Sequence, residues 1–134
     1  MTTSLFDPIQ LGAIHAPNRI LMAPLTRGRS EGVHVPISAL KADYYAQRAS
    51  AGLIIAEATG ISQEGSGWHA APGIWSAEHV EAWKPVTDAV HKADGRIILQ
   101  LWHMGRLVHP DFLGGAQPVS SSATTAPGYA HTPT

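Results

Sequence analysis

Gln100 lies inside an otherwise apolar run, Arg96-Ile97-Ile98-Leu99-Gln100-Leu101-Trp102, and is the residue best suited to recognise a ligand. A primary amide sets one acceptor beside two donors, so it complements a ring edge that shows an N–H between carbonyl groups. An unpaired amide in such a run costs about 1–3 kcal/mol, and a neighbouring strand end is the other partner open to it. Trp102, two residues on, falls on the same strand face and can wall a pocket beside it. A second apolar run, Arg19 to Ala23, leads into Pro24-Leu25-Thr26-Arg27. Pro24 fixes the backbone and lacks an N–H where a flat ring can lie, and Thr26 adds a hydroxyl; an ordinary strand-ending turn fits the same residues. A third run, Leu53 to Ala58, ends in Thr59-Gly60. Its small side chains let a planar ligand approach the backbone at Ala58. Glu57, the one ionisable group there, is expected to be a paired structural carboxylate, because buried charge is paired.

The other chemistries are less well served. The eight histidines are scattered, none has the spacing of a helical metal pair, and no cysteine or close carboxylate completes a set, so no metal is expected. His103 and His109 follow the Arg96–Trp102 run and are expected at the surface. Gly65-Ser66-Gly67 lacks a third glycine and does not open a helix directly after a strand, so no phosphate loop is recognised.

These residues need elements to hold them. The three apolar runs are continuous rather than alternating, which predicts short strands buried on both faces of a parallel sheet. Between Arg19–Ala23 and Leu53–Ala58, Ile37 to Ser50 carries Leu40, Tyr44, Ala46 and Ala49 near helical spacing, with Pro36 suited to a first turn and Gly52 as the stop. Between Leu53–Ala58 and Arg96–Trp102, Ala77 to Asp94 predicts a helix with Ser76 as N-cap, Glu78 and Glu81 near its positive end, and Gly95 past its finish. Its stripe is Val80, Trp83, Val86, Val90 and Ala93, and Pro85 is expected to kink or break it. Leu5 to Leu11 and Ile14 to Arg19 flank Gly12-Ala13 as a short hairpin. The segment 110–134, rich in Pro, Gly, Ser and Thr, reads as a loop after the third strand.

Together these predict an α/β chain of 134 residues, one domain by length. Three parallel strands with two helices leave apolar strand surface bare, so a complementary chain is expected to complete the sheet. The formal charge of −1, with 14% charged residues, offers no surplus to neutralise phosphates, so no nucleic acid partner is expected. No apolar run approaches the roughly 20 residues of a membrane helix. With no cysteine and no signal-like start, the cytoplasm is the expected compartment.

Five strings, in order, resemble one family. They are Asn18 to Arg27, Tyr44 to Ala49 with Gly52 to Ile55, Glu57 to Ser62, Ala71 to Ser76, and Gln100 to Arg106. The chain is similar to the N-terminal part of the old yellow enzymes, FMN-dependent ene-reductases built on a (β/α)₈ TIM barrel, and covers about the first third of a typical member. The resemblance implies the first three βα units of that barrel behind an N-terminal hairpin, completed by a complementary C-terminal polypeptide. It implies that Ala23, Pro24, Leu25 and Thr26 line the flavin, with the Thr26 hydroxyl near O4 and N5 tuning its potential. Ala58 gives the close small contact and Gln100 meets the pyrimidine edge. Trp68 stands where many relatives have a substrate-pocket tyrosine, and Trp102 forms the opposite wall. NADPH or NADH would reduce the flavin, and an activated alkene would take up a hydride and a proton. The family's carbonyl-binding pair, proton-donating tyrosine and phosphate arginines lie later and are not in this sequence. A non-catalytic flavin- or partner-binding fragment and an autonomous small α/β domain are the alternatives.

Overall fold

The computed structural model describes residues 4–133. The chain opens with an antiparallel hairpin, β1 (Ile9–Leu11) and β2 (Ile14–Ala16), with Leu11 opposite Ile14. Gly12 turns it at φ 58°, a left-handed conformation that glycine adopts without a Cβ penalty. The hairpin is narrower than the flanks expected from sequence. Ala13, Ile14 and His15 share a cleft with Leu53, Arg96 and Ile98, which places the hairpin at the strands' N-terminal ends.

The main sheet has three parallel strands in the order β3 (Leu21–Met22), β6 (Leu53–Gly60), β7 (Ile97–Trp102). Leu21 pairs with Leu53, and Ile54 with Ile97. The helices α1 (Ser38–Ala46) and α2 (Ala77–Lys92) form the two crossovers. Tyr45 of α1 and Trp83, Val86 and Val90 of α2 are buried together against Ile54 and Ala56, with Met22, Ile97 and Leu99 packed alongside. Both helices therefore cover one face of a sheet whose strands follow chain order. This is the winding of a barrel wall, whereas a doubly wound sheet places helices on both faces.

Burial separates the strands. Central β6 is buried along nearly its whole length, as its continuous apolar run predicts. The two edge strands are not buried on both faces: Leu21 is 43% exposed, Ile98 40% and Leu101 66%. Each has a neighbour on one side only, which also shortens β3 from the expected Arg19–Ala23 to two residues. A second, small hairpin pairs β4 (Ser30–Glu31) with β5 (Val35–Pro36) in the β3–α1 connection. No run of apolar residues marks it in the sequence, and it takes Pro36 into a strand rather than a first helical turn.

α1 ends at Ala46 rather than near Ser50, well ahead of Gly52. Its buried residues are Lys41 and Tyr45, while Leu40 is exposed and Tyr44 half-buried, so the helix is rotated from the apolar stripe expected for it. The cause is a buried carboxylate described below.

α2 keeps the Ser76 cap: its hydroxyl accepts from His79 N at 3.2 Å, and the His79 ring Nδ1 accepts from Ser76 N at 3.2 Å. His79 Nε2 lies 2.8 Å from the Val33 carbonyl, so the same ring ties the helix start to the β4–β5 hairpin. Pro85 does not break α2. It stands on the exposed face with Glu81, whose carbonyl loses its helical partner, while Trp83, Val86 and Val90 hold the opposite face in the core. Val80 and Ala93, expected in the stripe, are exposed. The left-handed residue after α2 is Asp94, at φ 56°; Gly95 is required for space, since a Cβ there would meet Ala49 and Val90 at 2.8 Å.

β7 is followed by 3-10 turns at Gly105–Leu107 and Pro110–Leu113, and the described remainder to residue 133 has no regular element. No helix among the described residues is long and apolar enough to cross a membrane.

Candidate functional site at the strand C-terminal ends

All three parallel strands deliver their C-terminal ends to one side of the sheet, where α/β proteins of this winding carry their chemistry. Ala58 and Gln100 are direct partners in the β6–β7 ladder, and Gly60 is opposite Trp102. The pairing depends on a bulge: Ile55 to Ala58 on β6 spans the same stretch as Ile98 to Gln100 on β7. Without that extra residue the faces would alternate in step and Gln100 would lie opposite Glu57.

Gln100 is exposed. The sequence leaves that amide a ligand edge or a neighbouring strand end as partner; it stands on the uncovered face of an edge strand, and its side chain has no hydrogen-bond partner among the described residues. Ala58 beside it is buried, at 8% exposure. Ala23 and Leu25 are exposed, and Pro24 and Thr26 half-buried, in the segment that leaves β3. An amide with free donors and acceptor, a short Ala58 side chain and a proline without an N–H fit the edge and face of a flat heteroaromatic group.

The loop from Ile61 to Ser76 returns beside β6: Gly60 N donates to the Pro72 carbonyl at 2.9 Å, and Ile74 N to the Gly60 carbonyl at 2.9 Å. Trp102 is half-buried at the end of β7, and its carbonyl accepts from Ile61 N at 3.1 Å. Trp68, in the same loop, is drawn to the chain's last segment, its ring 4.0 Å from that of His131 in an edge-on contact. His103 is exposed as expected, and His109 is half-buried, its Nδ1 accepting from Asp111 N at 3.2 Å. No metal-binding group of His, Asp or Glu occurs among the described residues.

Beneath the strand ends lies a buried ionic network. Glu57 is fully buried, as is Lys41, whose Nζ is 2.6 Å from Glu57 Oε1. Tyr45 donates its hydroxyl to the same oxygen at 3.1 Å and accepts from Glu57 N at 3.0 Å. Glu57 Oε2 accepts from Arg27 N at 2.9 Å. The paired carboxylate expected from sequence is thus present. Its partners were legible only as a Lys41/Tyr45 spacing of four residues on one helix face, a signal masked by the apolar Leu40 and Tyr44. Tyr44 is instead held between guanidinium groups, Arg48 at 4.0 Å and Arg27 at 4.8 Å from its ring centre.

Burial pushes the Lys41 ammonium down from 10.5, against the opposing charge of Glu57, and pushes the Tyr45 phenol up from 10.0, with Glu57 adding to the rise. The signs differ. A lowered lysine makes stability rise with pH up to 10.5, after which its contribution is constant; a raised tyrosine contributes stability that is full below pH 10.0 and lost as pH climbs toward the folded value. Denaturant midpoints measured from about pH 10 to about pH 11.5 are therefore expected to fall more steeply for the parent than for Tyr45→Phe. Equal slopes would show that Tyr45 keeps no extra hold on its proton.

The strand order and the helices on one face define an α/β barrel wall, and comparison with known proteins supplies the family. The chain matches the NADH:flavin oxidoreductase / NADH oxidase family over residues 4–132 and belongs to it. It is 48% identical over 136 residues to a chanoclavine-I aldehyde reductase of Penicillium roqueforti, covering 98% of this chain and 37% of that protein. Among solved structures, an old yellow enzyme homologue from Zymomonas mobilis is 65% identical with a TM-score of 0.91, over 97% of this chain and 36% of that one. A morphinone reductase in complex with tetrahydroNAD is 50% identical with a TM-score of 0.90, over 96% of this chain and 35% of that one. The chain spans about a third of the length of the relatives it matches. FMN and a nicotinamide nucleotide are the family's cofactors.

Proposed function

We propose that this chain is the N-terminal portion of an NAD(P)H-dependent FMN ene-reductase, forming the first part of a (β/α)₈ barrel whose complementary C-terminal polypeptide supplies the remaining strands. Bound FMN, reduced by NADPH or NADH, supplies the hydride that saturates an activated C=C bond in an enone or related alkene. Ala23, Pro24, Leu25 and Thr26 support one side of the ring system, Thr26 with a hydroxyl toward its redox edge. Ala58 keeps the approach to β6 open, and Gln100 donates to and accepts from the pyrimidine edge. Trp68 and Trp102 wall the alkene pocket. The groups that bind the alkene's activating carbonyl and hold the proton come from the complementary portion, as do the phosphate contacts.

The observation that carries this reading is the register that puts the Gln100 amide beside Ala58 on the uncovered face of β7. The exposed Leu21, Ile98 and Leu101 support it, because an autonomous three-stranded domain would leave these side chains in water. The absence of cysteine and the use of a nicotinamide nucleotide favour the cytoplasm.

Combining the chain with its complementary portion and FMN is expected to give a yellow protein that NADPH or NADH bleaches and an enone recolours. No flavin retention at any stoichiometry would end the reading. In that assembly Gln100→Leu removes up to three hydrogen bonds to the ring edge, and is expected to weaken FMN binding by roughly 1–3 kcal/mol, about five- to 150-fold in Kd. Unchanged Kd in a flavin titration would remove Gln100 from the site.

A further inference from the structure

We propose that Glu57 is a positioning residue for the flavin-facing segment Pro24 to Thr26, acting through the backbone N–H of Arg27; this rests on the reading of that segment as a flavin contact. The peptide that donates to Glu57 Oε2 is the one immediately after Thr26, at 2.9 Å. Holding that N–H fixes the plane of the Thr26–Arg27 peptide, and with it the ψ angle that aims the Thr26 side chain. The Arg27 side chain contributes nothing to this hold, because its guanidinium lies over Tyr44 on α1.

The carboxylate is itself held at both oxygens. Oε1 takes Lys41 Nζ at 2.6 Å and the Tyr45 hydroxyl at 3.1 Å, and the Glu57 backbone N–H donates back to that hydroxyl at 3.0 Å. Glu57 lies in the β6 bulge, one residue before Ala58, so one short stretch of backbone sets both the Ala58–Gln100 pairing and the anchor for Thr26. Three donors on two buried oxygens are more than an ion pair needs. Lys41 also keeps the carboxylate's charge locally balanced.

Two double substitutions separate the acceptor from the charge. Lys41→Met with Glu57→Gln removes both charges but keeps an amide oxygen for Arg27 N–H, while the amide N–H group donates to Tyr45. Lys41→Met with Glu57→Met removes the charges and the acceptor at similar volume. Both are compared with the parent in the assembled, FMN-loaded protein, by FMN content, flavin midpoint potential and the rate of flavin reduction by NADPH. The Gln form is expected to stay within about threefold of the parent rate, and the Met form to lose on the order of tenfold or more with a shifted potential and full FMN content, as small misplacements in a site do. Matching rates and potentials in the two double variants would overturn the proposal, whether both are parent-like or both equally impaired. A parent assembly that holds no FMN would overturn the functional reading first, before any variant is compared.

Discussion

Replacing Lys41 by methionine alone is expected to cost about 3–5 kcal/mol of folding stability, the range found when one partner of a buried ion pair is removed. Lys41 is 2% exposed and Glu57 0%, so the carboxylate left behind has no water to turn to. Tyr45 and Arg27 N still donate to it, at 3.1 and 2.9 Å, but neither carries a compensating charge at that distance. Adding Glu57→Gln to Lys41→Met is expected to recover most of the loss, because a neutral amide pays no comparable desolvation penalty. Urea unfolding of the two variants reads both terms. A single variant within about 1 kcal/mol of the parent would show the pair to be hydrated, contrary to its burial.

Trp83→Ala is expected to cost a further about 3–5 kcal/mol on its own account, as large-to-small core changes do when surroundings cannot collapse into the space. Trp83 is 3% exposed and packs with Tyr45, Ile54, Ala56, Val86 and Val90, so it joins both helices to the central strand. Its indole N–H also donates to the Gly73 carbonyl at 3.1 Å, in the loop that returns beside the end of β6. Trp83→Phe keeps most of the apolar volume and drops that bond, with an expected cost near 1 kcal/mol for the bond, plus any loss from the smaller ring. If Trp83→Ala fell below about 1.5 kcal/mol, the junction of helices and sheet described above would be looser than its burial indicates.

The Lys41 network also explains where sequence reasoning lost its way on α1. Apolar periodicity chose Leu40 and Tyr44 as the buried side, and a helix packed by hydrophobicity alone would follow it. A carboxylate buried in the neighbouring strand outweighs that preference: leaving it unpaired costs several kcal/mol, more than exposing one leucine. The helix turns Lys41 and Tyr45 inward, and Tyr44 finds two guanidinium groups over its ring instead.

Much else was local and therefore legible. The apolar run of β6, the Ser76 cap with its helix through Trp83, Val86 and Val90, and the Gly12 turn each follow from neighbours a few residues away, as do the strings that place the chain in its flavin oxidoreductase family. Pro85 does not break α2, because its cost depends on which side of the helix meets water, and that side is set by the sheet beneath. Gln100 was recognised as an amide apart from its neighbours, yet its exposure on an edge strand, and its pairing with Ala58 through a one-residue bulge, depend on the strand opposite. Composition and short-range pattern decide which segments become strands and helices. Which face each turns inward is decided where distant charges and carbonyls must be paired, and no window of adjacent residues contains both partners.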